Sequence, residues 1–142
     1  MSLFSSLSVS ASGMSAQRTR AELLVQNMAN SETTRTPEGG PYRRKDAIFS
    51  TADETSPFSA VFQNEMGTGV QVSEITEDNS EPDRRYMPGH PDADKDGYVA
   101  FPKINPAEDM VDLMSASRGY AGNVAAMTAI KDMINRSIDL MR

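Results

Sequence analysis

The chain has no cysteine, no tryptophan and a single histidine, His90. Disulfides, thiolate metal sites and cysteine nucleophiles are therefore excluded. His90 stands between Gly89 and Pro91, with no second histidine to share a metal or an acid–base role, so a turn role is expected of it. No Gly-rich phosphate loop, GxSxG elbow or HExxH helix occurs. No cofactor, metal or catalytic residue is expected, and the chain is not read as an enzyme. No apolar run approaches the roughly 18 residues of a membrane span. Basic charge is also scarce: 14 Lys and Arg face 20 acids across 142 residues, a net charge of −6. Phosphate backbones need a basic face, so nucleic acid is not an expected partner.

That acidity is unevenly placed. Residues 1–35 carry 3 basic and 2 acidic side chains, 36–104 carry 7 and 13, and 105–142 carry 4 and 5. Three segments follow: an N-terminal helix within 1–35, a β-rich module over 36–104, and a long C-terminal helix over 105–142. The first segment begins Met1-Ser2-Leu3-Phe4, with no basic start and with serines breaking each apolar run. It is not a cleavable secretory signal.

Heptad spacing marks both terminal segments. Leu7, Met14, Ala21 and Met28 form one row; Leu3 and Leu24 lie on a second, interrupted by Ser10 and Gln17; Phe4, Ala11 and Val25 lie on a third. These rows predict a helix over residues 3–29 that needs a partner surface, since Gly13 and the polar interruptions weaken it. At the other end, Asn105-Pro106-Ala107-Glu108 supplies an N-cap, a proline at the first helical position and an early acid. Leu113, Tyr120, Met127, Ile134 and Met141 then recur every seven residues, with Met110, Val124 and Ile138 on a companion row broken by Ser117 and Lys131. A helix from 106 to 142 would run about 55 Å, too long a rod to bury its stripe in so small a protein. Seven of ten methionines fall in the two proposed helices, 3–29 and 106–142, where flexible thioethers suit contact with several non-identical neighbours.

Turn-rich breaks at Thr36–Pro41 and Gly67–Gly69 frame the middle, with strands predicted at 42–51, 60–63, 70–75 and 98–101. Only 16 of its 69 residues are Val, Ile, Leu, Met, Phe or Tyr, which predicts a thin core. The expected class is α+β: two long terminal helices in an antiparallel, coiled-coil-like pair with a small β module inserted between them.

The stretch His90-Pro-Asp-Ala-Asp-Lys-Asp-Gly-Tyr98 has the early acids and glycine of an EF-hand loop. The position of the closing bidentate glutamate is Lys103, and prolines bound both sides. An acidic turn into a short strand is the better reading. A small calcium-responsive adaptor, or a coiled-coil adaptor of other origin, remains the alternative.

Several motifs resemble a known family. Asn27-Met28-Ala29-Asn30 is similar to the N-x-A-N signature of bacterial flagellar rod, hook and hook-associated proteins. The run Thr33 to Lys45, including Pro37, Gly39, Gly40, Tyr42 and Arg43, resembles the narrower pattern of basal-body rod subunits. His90-Pro91 with Gly97-Tyr98, and Met110-Val111-Asp112 with Ser115 to Arg118 and Tyr120, resemble it too. The resemblance implies a structural subunit of the periplasm-spanning proximal rod, exported without a cleaved signal and assembled helically with copies of itself and other rod proteins. It implies membrane-ring and export-gate proteins as neighbours at the rod base, and no membrane insertion. The contact residues expected on the helices are Leu3, Leu7, Met14, Leu24, Met28, Met110, Leu113, Tyr120, Val124, Met127, Ile134 and Ile138. Gly119 and Gly122 depart from the helix formers usual in that family; they imply either a bend or a close helix approach.

Overall fold

A computed structural model describes residues 3–52 and 69–140. Helix α1 spans Leu3–Ala29 and α2 spans Pro106–Asp139; between them lie β1 (Lys45–Thr51), β2 (Val70–Glu77), β3 (Asp83–Tyr86) and β4 (Tyr98–Phe101). The α+β class is as expected, with the helices packed on each other and α1 also touching β1 and β2. The strand expected at 60–63 lies outside the described residues. No described helix is long and apolar enough to cross a membrane.

Each helix start and stop has a local cause. Asn105 sits in extended backbone and its side-chain oxygen accepts from the Ala107 amide at 3.2 Å, with Pro106 in the first turn. Such a cap satisfies one of the orphan amides at a helix start. At the end of α1 the Asn30 Nδ2 donates to the Gln26 carbonyl and Ser31 Oγ to that of Met28, taking up carbonyls the helix leaves free. In the serine-rich α1 the Ser10 and Thr19 hydroxyls donate back to carbonyls four residues earlier, which meets their own polarity within the helix. Ser12 does more: it donates to the Val9 carbonyl and accepts from the Val70 amide, so it fixes where β2 begins.

Two antiparallel ribbons make up the middle. β1 pairs with β2 from Lys45↔Glu77 to Thr51↔Val70, with a bulge between Ile48 and Phe49. β3 pairs with β4 from Asp83↔Phe101 to Tyr86↔Tyr98. Sequence reading began β1 three residues early, because Tyr42 to Arg44 belong to the connection. It missed β3 altogether: Asp83-Arg84-Arg85-Tyr86 is exposed at every position and shows no apolar alternation. Its hold comes from aromatic and cationic contacts, with Tyr86 edge-on to Tyr98 at 5.4 Å and the Arg85 guanidinium 4.7 Å above the Phe101 ring.

The buried apolar side chains are few: Leu23, Leu24, Tyr42, Val99, Phe101, and in the helix seam Ala16, Ala116 and Ile130. Sequence reading does not say which row of α1 faces α2. The row interrupted by Ser10 and Gln17 lies inside, with Ser10 and Leu24 buried, while Leu7, Met14 and Met28 are only half-buried. Small side chains let the two helix axes come close, so the larger apolar residues are left on the flanks and the outside.

Candidate assembly surface and the clamp that positions it

A fully buried asparagine joins the helix pair to the strands. Asn27 Nδ2 donates to the Lys45 carbonyl at 2.9 Å, and its Oδ1 accepts from the Lys45 amide at 3.0 Å and from the Tyr42 hydroxyl at 3.1 Å. The side-chain amide thus pairs with the first residue of β1 as a neighbouring strand would. Burial, then Glu77, raises the Tyr42 hydroxyl above its usual range, so it stays protonated and donating.

The rest of the Thr33–Lys45 run closes the corner. Asn30 Oδ1 accepts from the Thr33 hydroxyl, and the Tyr42 amide donates to the Thr33 carbonyl at 3.0 Å. Between them Gly39 and Gly40 adopt φ of 91° and 80°, a region that a side chain disfavours; Thr36 and Gly40 bond across this turn. Pro37 is exposed at its start and fixes φ there. Arg43 Nη1 donates to Asn79 Oδ1. Ala29 is exposed at the helix end, and nothing in the chain explains it.

The acidic loop locks onto the same corner. Asp92 accepts from the Thr34 hydroxyl at 2.8 Å and lies 3.6 Å from the Arg35 guanidinium. Asp94 Oδ1 accepts from the Asp96 and Tyr98 amides, both at 2.9 Å. His90 Nδ1 accepts from the Asp92 amide and its ring lies near Phe101; Pro91 follows it, exposed. Gly97 turns the chain into β4 with φ of 81°. Two of the three carboxylates that would face a cation, Asp92 and Asp94, are therefore committed to residues 34 and 35 and to the turn. Among the described residues no three His, Asp or Glu side chains converge as a metal cage.

Sequence reading missed one buried group, Asp109 in the first turn of α2. Its side chain is 0% exposed, and Arg44 Nη2 stands 3.0 Å from its Oδ1. This is an ion pair without an aligned hydrogen bond, since neither carboxylate oxygen has a hydrogen-bond partner among the described residues. Burial raises the carboxyl above its usual range; Arg44 opposes this, while Asp46, Asp112 and Glu108 add to it. The only signal in sequence was the basic run Arg43-Arg44-Lys45, which spacing alone could not connect to a residue 65 positions away.

The large apolar side chains of α2 form an outward face. Met110, Val111, Met114, Tyr120, Val124, Met133 and Ile138 are all exposed, Val124 by 41% and Ile138 by 51%. From α1, Leu3, Phe4 and Val25 are exposed as well. Leu113, Met127 and Ile134 are half-buried along the edge of the seam, as are Leu7, Met14 and Met28 on α1. Leu24 is 3% exposed within the chain itself, so its place is in the hairpin core and not in a contact with another chain. Gly119 and Gly122 separate: an ideal Cβ on Gly119 would stand 3.2 Å from Gln17 Cδ, whereas one on Gly122 meets nothing within 4 Å. Close helix approach accounts for the first glycine only.

Comparison with known proteins agrees with this layout. Residues 95–140, which hold β4 and all of α2, match the family described as Flagellar basal body rod FlgEFG protein C-terminal. The chain is 39% identical to the flagellar basal-body rod protein FlgC of Borreliella burgdorferi over 100% of its length and 99% of the relative's. It is 41% identical to FlgC of Bacillus subtilis, covering 99% of both chains. With FlgC of Salmonella typhimurium the identity is 31%, covering 99% of this chain and 98% of the relative. At such identity over its full length, the chain belongs to the FlgC family of flagellar basal-body rod proteins.

Proposed function

We propose that this protein is a structural, non-enzymatic subunit of the rod, and that the outward apolar face of its helix pair is where it meets its neighbours. The observation that carries this reading is the inverted helix hairpin. Small and polar residues fill the inner seam while Met110, Val111, Met114, Val124 and Ile138 face out. Covering the exposed half of one such side chain is worth about 1 kcal/mol, so several of them together contribute substantially to each subunit contact. Single exposed apolar residues are ordinary, but several large ones gathered along one exposed helix mark a contact surface.

The mechanism is mechanical. Neighbouring helix pairs, from copies of this chain and from other rod proteins, bury the outward rows against one another, and torque passes through many packed contacts at once. The Asn27 clamp and the Thr33–Lys45 corner keep the β ribbons at a fixed angle to the helices, outside the packed layer. The subunit belongs to the part of the rod that crosses the periplasm and reaches it by the flagellar export route without a cleaved leader; ring and export-gate proteins are its neighbours at the base. Nothing favours the calcium-adaptor reading, since the Asp92 and Asp94 carboxylates of the 90–98 loop are engaged within the chain.

The absence of native cysteine makes the test clean. A single cysteine at Val124, carrying a short photoreactive group, should cross-link in flagellated cells to rod subunits. Cross-links found only to proteins outside the basal body would reject the assignment of this face.

A further inference from the structure

Around Ser10, Ala16 and Ala116 the inner seam is built from small side chains that do little to set its alignment; Ile130 is buried farther along it. Ser10 and Ala16 lie on α1 and Ala116 on α2, all buried, and a smooth track of this kind offers few knobs to resist sliding. Two larger polar residues interrupt it. Asn123 lies over Gly13, where an ideal Cβ would come within 3.0 Å of its Nδ2 and 3.1 Å of its Oδ1; Gln17 lies over Gly119, with its Cδ 3.2 Å from the corresponding Cβ position. Each helix thus supplies one polar knob and one glycine notch. Gln17 is four residues beyond Gly13, and Gly119 is four residues before Asn123, so both fittings belong to a single antiparallel register.

We propose that this reciprocal pair, Gln17 on Gly119 and Asn123 on Gly13, is the element that fixes the register of the hairpin and thereby the alignment of its two outward apolar rows. A slip of one heptad in one direction sets Asn123 against Arg20 and Gln17 against Ala126. In the other it sets Asn123 against Ser6 and Gln17 against Asp112. Every such neighbour carries a Cβ where the native partner has none. The polar atoms add to the selectivity. Asn123 Nδ2 donates to the Gly119 carbonyl at 3.0 Å, a carbonyl within the other notch, so the two fittings are tied together. Gln17 Oε1 is buried without a hydrogen-bond partner. That loss of stability is the usual mark of a polar residue kept for specificity, as with buried asparagines that set coiled-coil register. The inference stands on the hairpin alone and does not depend on which proteins the outer face meets.

Spin labels on cysteines introduced at the exposed positions Ser8 and Ser117 of the full chain give the direct test by pulsed electron resonance. With Gln17 and Asn123 in place, one narrow distance distribution is expected. The Gln17→Ala/Asn123→Ala double variant should show further populations displaced by several ångströms, since one heptad is about 10 Å along the axis. A single unchanged distribution in that variant would overturn the proposal. If the double variant gives only a broad, featureless distribution, a cycle on urea unfolding decides. Gly119→Ala should raise the unfolding equilibrium constant at least fivefold in the parent chain and lower it in the Gln17→Ala background. Equal effects in both backgrounds would mean that Gln17 does not occupy the notch, and would overturn the proposal as well.

Discussion

Asn27 and Lys45, eighteen residues apart, are joined by two hydrogen bonds in which a side-chain amide plays the part of a strand: Nδ2 to the Lys45 carbonyl and the Lys45 amide to Oδ1. With the Tyr42 hydroxyl on the same oxygen, three polar groups in a buried corner depend on one residue. This gives the first asparagine of the N-x-A-N motif a physical task. The second, Asn30, finishes the helix and holds Thr33.

Removing the clamp should be costly. Asn27→Ala leaves the Lys45 amide, the Lys45 carbonyl and the Tyr42 hydroxyl without their partner, at about 1 kcal/mol or more for each. A loss of about 3 kcal/mol in urea unfolding is expected. A loss below about 1 kcal/mol would show that the corner holds without it.

The pH dependence of stability should carry the signature of Asp109. Its carboxyl is raised in the folded chain, chiefly by burial, so the folded state holds the proton more tightly than the unfolded one. Well below the unfolded value, about 4, the group is neutral in both states and costs nothing. As pH rises from there through the folded value the unfolded chain ionises first, and stability falls to a lower plateau above the folded value. Asp109→Asn should therefore show its smallest advantage over the parent chain well below pH 4 and exceed it at pH 7. A variant less stable than the parent at pH 7 would mean that the Arg44 ion pair outweighs burial.

Gly97 and Gly122 should respond in opposite senses. Gly97→Ala forces a side chain onto φ of 81° and to within 2.9 Å of the Tyr86 ring, and should destabilise by roughly 1–2 kcal/mol. Gly122→Ala meets no neighbour within 4 Å and should stabilise the isolated chain by about 1 kcal/mol, the usual gain in a helix interior. Thermal melts of the two variants check both. A destabilising Gly122→Ala would show that the helix needs flexibility at that point.

Calcium should bind no better than to any acidic surface. Asp92 is engaged by Thr34 and Arg35, and Asp94 by two amides, while Lys103 stands where a closing carboxylate would be needed. Titration calorimetry at millimolar calcium should give no saturable heat. A micromolar dissociation constant would revive the adaptor reading.

Much of the fold was legible because its signals are local. The Asn105-Pro106 cap, the heptad rows and the Gly-Gly turn each name their structure within a few residues. What stayed hidden depends on distant partners. Asp83 to Tyr86 became a strand through Tyr98 and Phe101, and Asp109 became buried through Arg44. The rows themselves were found, but not which faced inward. Leu7, Met14 and Met28 make the most apolar row, yet Ser10, Gly13 and Gln17 face α2, because close approach between two helices selects small residues and not large ones. The same inversion turned Val124 and Ile138 outward, where sequence had already placed contacts with other chains.

The central claim is that this outward face builds the rod, and swimming by cells whose only copy of the protein carries Val124→Asp tests it most directly. Val124 is 41% exposed in the single chain, so the purified variant should unfold at the parent's urea midpoint. In an assembled contact the new carboxylate would be buried without a partner, at a cost of several kcal/mol per subunit. The account predicts correctly folded subunits, no completed rod and no swimming. Normal swimming by these cells would contradict it.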